Sequence, residues 1–266
     1  MTDKNTELDD AILRSENVYW NFLKGKKAII IGPAQYVTTQ SFYGFGEKID
    51  KEFDVVIRLN RGLELIEKYK PYIGSKTDVF YNCLIEHKDN GGVIDINNLK
   101  DNNIQWVCTI PHSDINGNCY NNRLNPMVNL HTVSKIANNF NFHIMDYRLY
   151  GELNKGVNCR ANTGFAAIFD TLYHGVESLF ITGFSFYLDA FAPGYKEGCA
   201  RDEDEFAKEC FASKRHNQVN QWEYSRKHLK NNPKVILDDV LTKILNLKTL
   251  SREKFDEETQ DLYSNV

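Results

Sequence analysis

The 266-residue chain lacks any long apolar run. Stretches such as Ala28–Ile31 fall far short of the roughly 20 residues that a membrane-spanning helix requires. Its first ten residues, MTDKNTELDD, are acidic and polar, which is not the pattern of a secretory signal. A basic excess is missing too: the formal charge is −4, so no nucleic-acid partner is expected. Local basic stretches at 24–27 and 227–230 read as solvated faces, with contact to a membrane surface or substrate as the alternative. The six cysteines, at 83, 108, 119, 159, 199 and 210, include no CxxC pair and no metal-ligand spacing. Free thiols in a reducing cytoplasm follow, and no zinc site is expected. Internal repeats and low-complexity segments are absent.

Two nucleotide signatures are also missing. A nicotinamide-binding unit needs G-x-G-x-x-G after its first strand and an acidic residue closing its second. Here the first turn reads GPAQYV and the second strand ends RLN. The phosphate-gripping G-x-x-x-x-G-K-[ST] loop does not occur either, so dehydrogenase and NTPase readings have no support.

What is present belongs to a globular protein, with 42% hydrophobic and 26% charged residues. A short leading helix is expected within residues 1–25, from the apolar residues of 8–24. Strands are expected at KKAIIIGP, FDVVIRLN (53–60), KTDVFYN (76–82), IQWVCTIP (104–111), FHIMDYR (142–148), ESLFITGFSFY (177–187) and PKVILDD (233–239). GFAAIFDTLYHG (164–175) reads as a helix. Short apolar strands separated by helical stretches predict an α/β fold: a single Rossmann-like domain whose mostly parallel, twisted sheet is flanked by helices. That domain is expected over 26–248, with a lid at about 188–215 and a charged tail over 249–266.

Ligands of such sheets bind beyond the carboxyl ends of the strands. The residues to watch are therefore Gly32-Pro33, Arg58-Leu59-Asn60, Asn82 and Ser185-Phe186-Tyr187. Asparagines cannot ionise and suit a neutral base or sugar edge. The run RHNQVNQWEYSRKHL (215–229) looks like an ordinary helix with His216 at its entrance, and a lone histidine there reads first as a surface residue.

The ordered series IIIGPAQ, FDVVIRLNRG, IGSKTDVFYN, RANTGFAAIFDTLYHGVESLFITGFSFY and HNQVNQWE resembles the sialyltransferases, nearest the bacterial lipooligosaccharide type. GSKTD and NTGF are also similar to the large and small sialyl motifs of the animal enzymes. Two features depart from those enzymes: no cysteine precedes AIIIG or enters NTGF for their inter-motif disulfide, and Glu223 follows His216 by seven positions, a longer spacing than theirs.

The resemblance implies a GT-A-like, inverting glycosyltransferase that moves a sugar acid from a CMP donor to a glycan hydroxyl. CMP-sialic acid is the leading donor. CMP-Kdo, or a protein that binds nucleotide without catalysis, is the alternative. It implies His216 as general base, since imidazole titrates near working pH. Tyr187 and Tyr195 match tyrosines that bond the leaving phosphate. Arg160 would face either the donor carboxylate, which its planar fork suits, or the acceptor. Gly32, Pro33, Ala34, Asn60, Asn82, Asn162, Thr163, Gly164, Phe184 and Ser185 are the implied donor-binding residues. Asn162-Thr163-Gly164 opens a helix, where backbone N–H groups hold an anion or simply cap. A monophosphate leaving group needs no obligatory metal or other cofactor, and no D-x-D ends a strand. The acidic run DEDE (202–205) reads as a solvated face. A galactose or sialic acid acceptor, peripheral association with a lipid-linked glycan and homo-oligomerisation complete the expectation.

Overall fold

The computed structural model describes residues 16–114, 116–119, 123–196 and 216–263. A helix, α1, covers residues 16–23 and buries Tyr19 and Leu23. The strands that follow are β1 (Lys27–Ile31), β2 (Val55–Leu59), β3 (Val79–Tyr81), β4 (Trp106–Thr109), β5 (Asn141–Ile144), β6 (Ser178–Thr182) and β7 (Val235–Leu237). Between them run α2 (Phe45–Glu52), α3 (Ile66–Ile73), α4 (Ile96–Asp101), α5 (Leu130–Asn139), α6 (Tyr147–Val157) and α7 (Thr163–Tyr173), and then α8 (Gln218–His228). After β7 come α9 (Asp239–Asn246) and α10 (Arg252–Tyr263). No described helix is long and apolar enough to cross a membrane.

One seven-stranded sheet has the order β5-β4-β3-β2-β1-β6-β7, and every pairing is parallel. The expected α/β architecture is therefore present, with all of its strands parallel. β1 and β2 are apolar and buried along almost their whole length, because helices cover both faces. From β1 the chain winds outward to β5, then returns to lay β6 against the other side of β1. The crossovers leaving β1 and entering β6 so diverge, and a crevice opens above the carboxyl ends of these two strands.

Several expected boundaries shift for local reasons. The fifth strand stops at Ile144, because the Asp146 carboxylate accepts from the N–H groups of Arg148 (2.7 Å) and Leu149 (3.3 Å) and starts α6. The sixth ends at Thr182, where Gly183 turns left-handed at φ 78°. The charged segment after Lys248 is helical in α10, with Phe255 buried. Of the expected lid, residues 188–196 form an irregular loop tied to the strand ends by an Ala34–Phe191 bridge, whereas 197–215, DEDE included, lie outside the described residues.

Arg58, the penultimate residue of β2, is buried. Its guanidinium donates to Thr77 Oγ1 (2.9 Å) and to the carbonyls of Ile73 (2.8 Å) and Gly74 (2.9 Å). Desolvation lowers its pKa to about 10, which still leaves it charged. The Ser75–Asp78 segment is likewise scaffold: Asp50 accepts from the Ser75 and Lys76 N–H groups, and Asp78 from that of Val56. In this chain the GSKTD stretch braces strand starts.

Candidate active site

A cleft of ≈ 1270 Å³, counted out to its open mouth, lies over the divergence of β1 and β6. Its walls include Pro33 and Ala34 after β1, Asn60 after β2, and Phe184, Ser185 and Tyr187 after β6. Arg160, Asn162, Thr163 and Gly164 come from the entrance of α7, Tyr195 from the 188–196 loop and His216 from the residues before α8. Residues from six segments thus converge.

The floor is shaped by backbone. A Cβ on Gly32 would lie 2.2 Å from the Gly183 carbonyl oxygen, and one on Gly183 would lie 2.3 Å from that of Gly32. The two turns touch through main chain alone. Below them the Tyr36 hydroxyl accepts from the N–H groups of Gly183 (2.7 Å) and Phe184 (3.1 Å) and donates to Asp238 Oδ2 (2.8 Å). Burial pushes both the Tyr36 phenol and the Asp238 carboxyl upward. Asn60, Phe186 and Tyr187 hold left-handed conformations, at φ 45°, 52° and 58°. Such torsions cost of order 1–3 kcal/mol each and persist only where the surroundings enforce them.

At the entrance of α7 the Asn162 side chain accepts from the Phe165 N–H at 2.8 Å, a helix cap. The first N–H groups of the helix, which have no intrahelical acceptor, carry partial positive charge toward the cleft. Gly164 leaves room for Leu59 and Phe184, whose carbons would lie 2.9 and 3.2 Å from an added Cβ. Arg160 lines the cleft, and its Nε is buried without a hydrogen-bond partner. Asn60 links β2 to β3 by accepting from the Cys83 N–H at 3.1 Å. Burial pushes the Tyr195 phenol well above its ordinary value, against a bond to Asn60, so this residue stays a neutral hydroxyl.

His216 Nδ1 lies 2.9 Å from the Arg160 carbonyl oxygen. A carbonyl only accepts, so the neutral ring carries its proton on Nδ1 and Nε2 is the basic nitrogen. Asn217 caps α8 by accepting from the Asn220 N–H at 2.9 Å, fixing the corner from which His216 projects.

Two expected residues lie outside the lining. Gly32 sits beneath it, pressed on Gly183. Asn82 is fully buried: its amide donates to the Gly91 carbonyl (2.9 Å) and its oxygen accepts from the Leu84 N–H (2.7 Å), pinning the 83–91 loop. Conversely, Asn90, Asn125 and Lys196 line the cleft from outside every motif, and Gln221 lines it from within HNQVNQWE, where only His216 was singled out. Lys196 was the most legible of them, as a cation next to the tyrosine of PGYK.

No protein-family model and no curated protein matches the chain. The monofunctional α-2,3-sialyltransferase Cst-I from Campylobacter jejuni superposes with a TM-score of 0.52 at 13% identity, over 86% of this chain and 81% of that one. The two chains share one fold. Sialyltransferase CstII in complex with a trisaccharide acceptor and CMP is also similar, at TM-score 0.48 and 16% identity, over 85% and 87% of the two chains. CstII from Campylobacter jejuni with the analogue CMP-3FNeuAc gives 0.43 and 16%, over 80% and 78%.

Proposed function

We propose that this protein transfers sialic acid from CMP-sialic acid to a hydroxyl of a glycan acceptor, with inversion, and that His216 is the general base. The observation that carries the reading is the tautomer at His216. Its Nδ1 is engaged by the Arg160 carbonyl, so Nε2 is the basic nitrogen of a residue lining a cleft at the sheet's divergence. The Cst-I-like fold and the ordered strand-end segments support the donor class.

In the proposed step the acceptor O–H gives its proton to His216 Nε2. The oxygen bonds to the anomeric carbon, and the bond from that carbon to the phosphate oxygen breaks. CMP leaves with the electron pair. The charge gained by its phosphate is met by the first N–H groups of α7, the Thr163 hydroxyl and the phenols of Tyr187 and Tyr195, all in place beforehand. Arg160 is placed to hold the donor carboxylate by its fork. No metal is required at the phosphate, so added magnesium or manganese should leave CMP release unchanged; activation by either would refute that point.

The deciding experiment measures CMP release from CMP-sialic acid and, separately, from CMP-Kdo. Release from the sialyl donor should fall about 10²–10⁴-fold in His216→Ala while donor binding is retained. Preference for CMP-Kdo would move the donor assignment, and binding without release from either would overturn catalysis.

A further inference from the structure

A second polar cluster lies at the other end of α7. His174 follows Thr163 by eleven positions, which puts it about 16 Å farther along the chain's helical axis. Neither it nor Glu16, His143 or Asp170 lines the cleft. His143 is 1% exposed, and His174 and Asp170 are 0% exposed, so no solvent satisfies them.

Asp170 orients both imidazoles. His143 Nε2 lies 2.9 Å from its Oδ2, an oxygen that also accepts from the Tyr81 hydroxyl. His174 Nδ1 lies 2.7 Å from its backbone carbonyl oxygen. Carbonyl and carboxylate oxygens accept, so these two ring nitrogens carry protons. In neutral rings the opposite nitrogens, His143 Nδ1 and His174 Nε2, then present lone pairs. Both are buried without a hydrogen bond. Both face one carboxylate: Glu16 Oε2 is 3.4 Å from His143 Nδ1, and Glu16 Oε1 is 3.1 Å from His174 Nε2. Three electron-pair donors gathered within 4.8 Å of one another repel unless a proton or a metal ion lies among them.

We propose that Glu16, His143 and His174 bind a divalent transition-metal ion of the zinc class. Two imidazoles and a carboxylate are a zinc donor set, and Asp170 supplies the outer carboxylate that fixes ring orientation in such sites. One dication balances Glu16 and Asp170. Two imidazolium protons would balance them too, but would place two cations on rings whose centroids are 5.1 Å apart. Tyr19 stacks on His143 at 4.2 Å and covers one side, while Glu16, 21% exposed, leaves a path for the ion. The ligands come from α1, β5 and the C-cap of α7, so the ion staples the leading helix to the sheet. Ligands 127 and 31 positions apart in sequence form no spacing motif. This site is independent of the transfer chemistry.

The test uses the full chain without an affinity tag, stripped with chelator and titrated with Zn²⁺ and Co²⁺. One ion per chain should bind, the melting midpoint should rise with zinc, and the cobalt form should lack thiolate charge-transfer bands. Glu16→Gln should abolish saturable binding, and Asp170→Asn should weaken it about 10–100-fold. Folding of each variant is checked by circular dichroism, with His174→Gln as the second ligand variant. Absence of saturable binding to the folded wild-type chain, wild-type binding by folded Glu16→Gln or His174→Gln, or thiolate bands would overturn the proposal. So would imidazole NMR showing either ring doubly protonated in the zinc-treated protein.

Discussion

At the residue scale the cleft depends on side chains that are missing. Gly32 and Gly183 let two turns meet through main chain, at separations no Cβ tolerates. Gly32→Ala is expected to cost about 1–3 kcal/mol from overpacking, read by urea unfolding. Gly183→Ala should cost more, since its φ of 78° adds a left-handed penalty of roughly 1–2 kcal/mol. Gly32 could be picked from the sequence because it ends a strand, yet a one-dimensional pattern cannot say whether a glycine makes room for a ligand or for another backbone. Asn82 had the same ambiguity. Its amide, placed by position among the strand-end polar residues, is consumed by the Gly91 carbonyl and the Leu84 N–H.

At the element scale α7 joins two sites, since its first turn enters the cleft and its C-terminal end adjoins the Glu16–His143–His174 cluster. Asn162 caps it. Asn162→Ala should lose about 1 kcal/mol of stability and raise KM for the donor more than it lowers kcat, whereas Asn162→Asp should keep the stability. Steady-state kinetics beside urea melts check both. Helix and strand positions were largely legible because buried parallel strands are continuous apolar runs, as in Ala28–Ile31. Their ends were less so. FHIMDYR extends past Ile144 on composition alone, while the Asp146 cap, which stops it, needs the geometry of the following turn. The histidines of the cluster were opaque for a different reason: what makes them notable is each other.

At the scale of the whole molecule, Asp189 ties distant parts of the chain together. Its carboxylate accepts from the Tyr36 N–H (2.7 Å) and from the Tyr263 hydroxyl of α10 (2.8 Å). Tyr263→Phe is expected to destabilise by about 1–3 kcal/mol, by leaving a mostly buried carboxylate short of a donor, and thermal denaturation would show it. Burial raises the Asp189 pKa against those bonds. A raised folded-state value means that folding favours the protonated acid. Its contribution is therefore full below the ordinary aspartate range, about 4, and is lost as pH rises through the raised value. The stability difference between wild type and Asp189→Asn should accordingly shrink from pH 4 toward neutrality, as measured by urea titrations across that range.

The left-handed corners at Asn60, Phe186 and Tyr187 have a consequence for anyone wishing to re-tool this scaffold. A basin whose contour is drawn by torsion angles keeps its outline when the furniture around its rim is exchanged. Substitutions at Asn90, Asn125 or Gln221 can therefore recut what the rim admits, whereas replacing a corner would redraw the vessel itself.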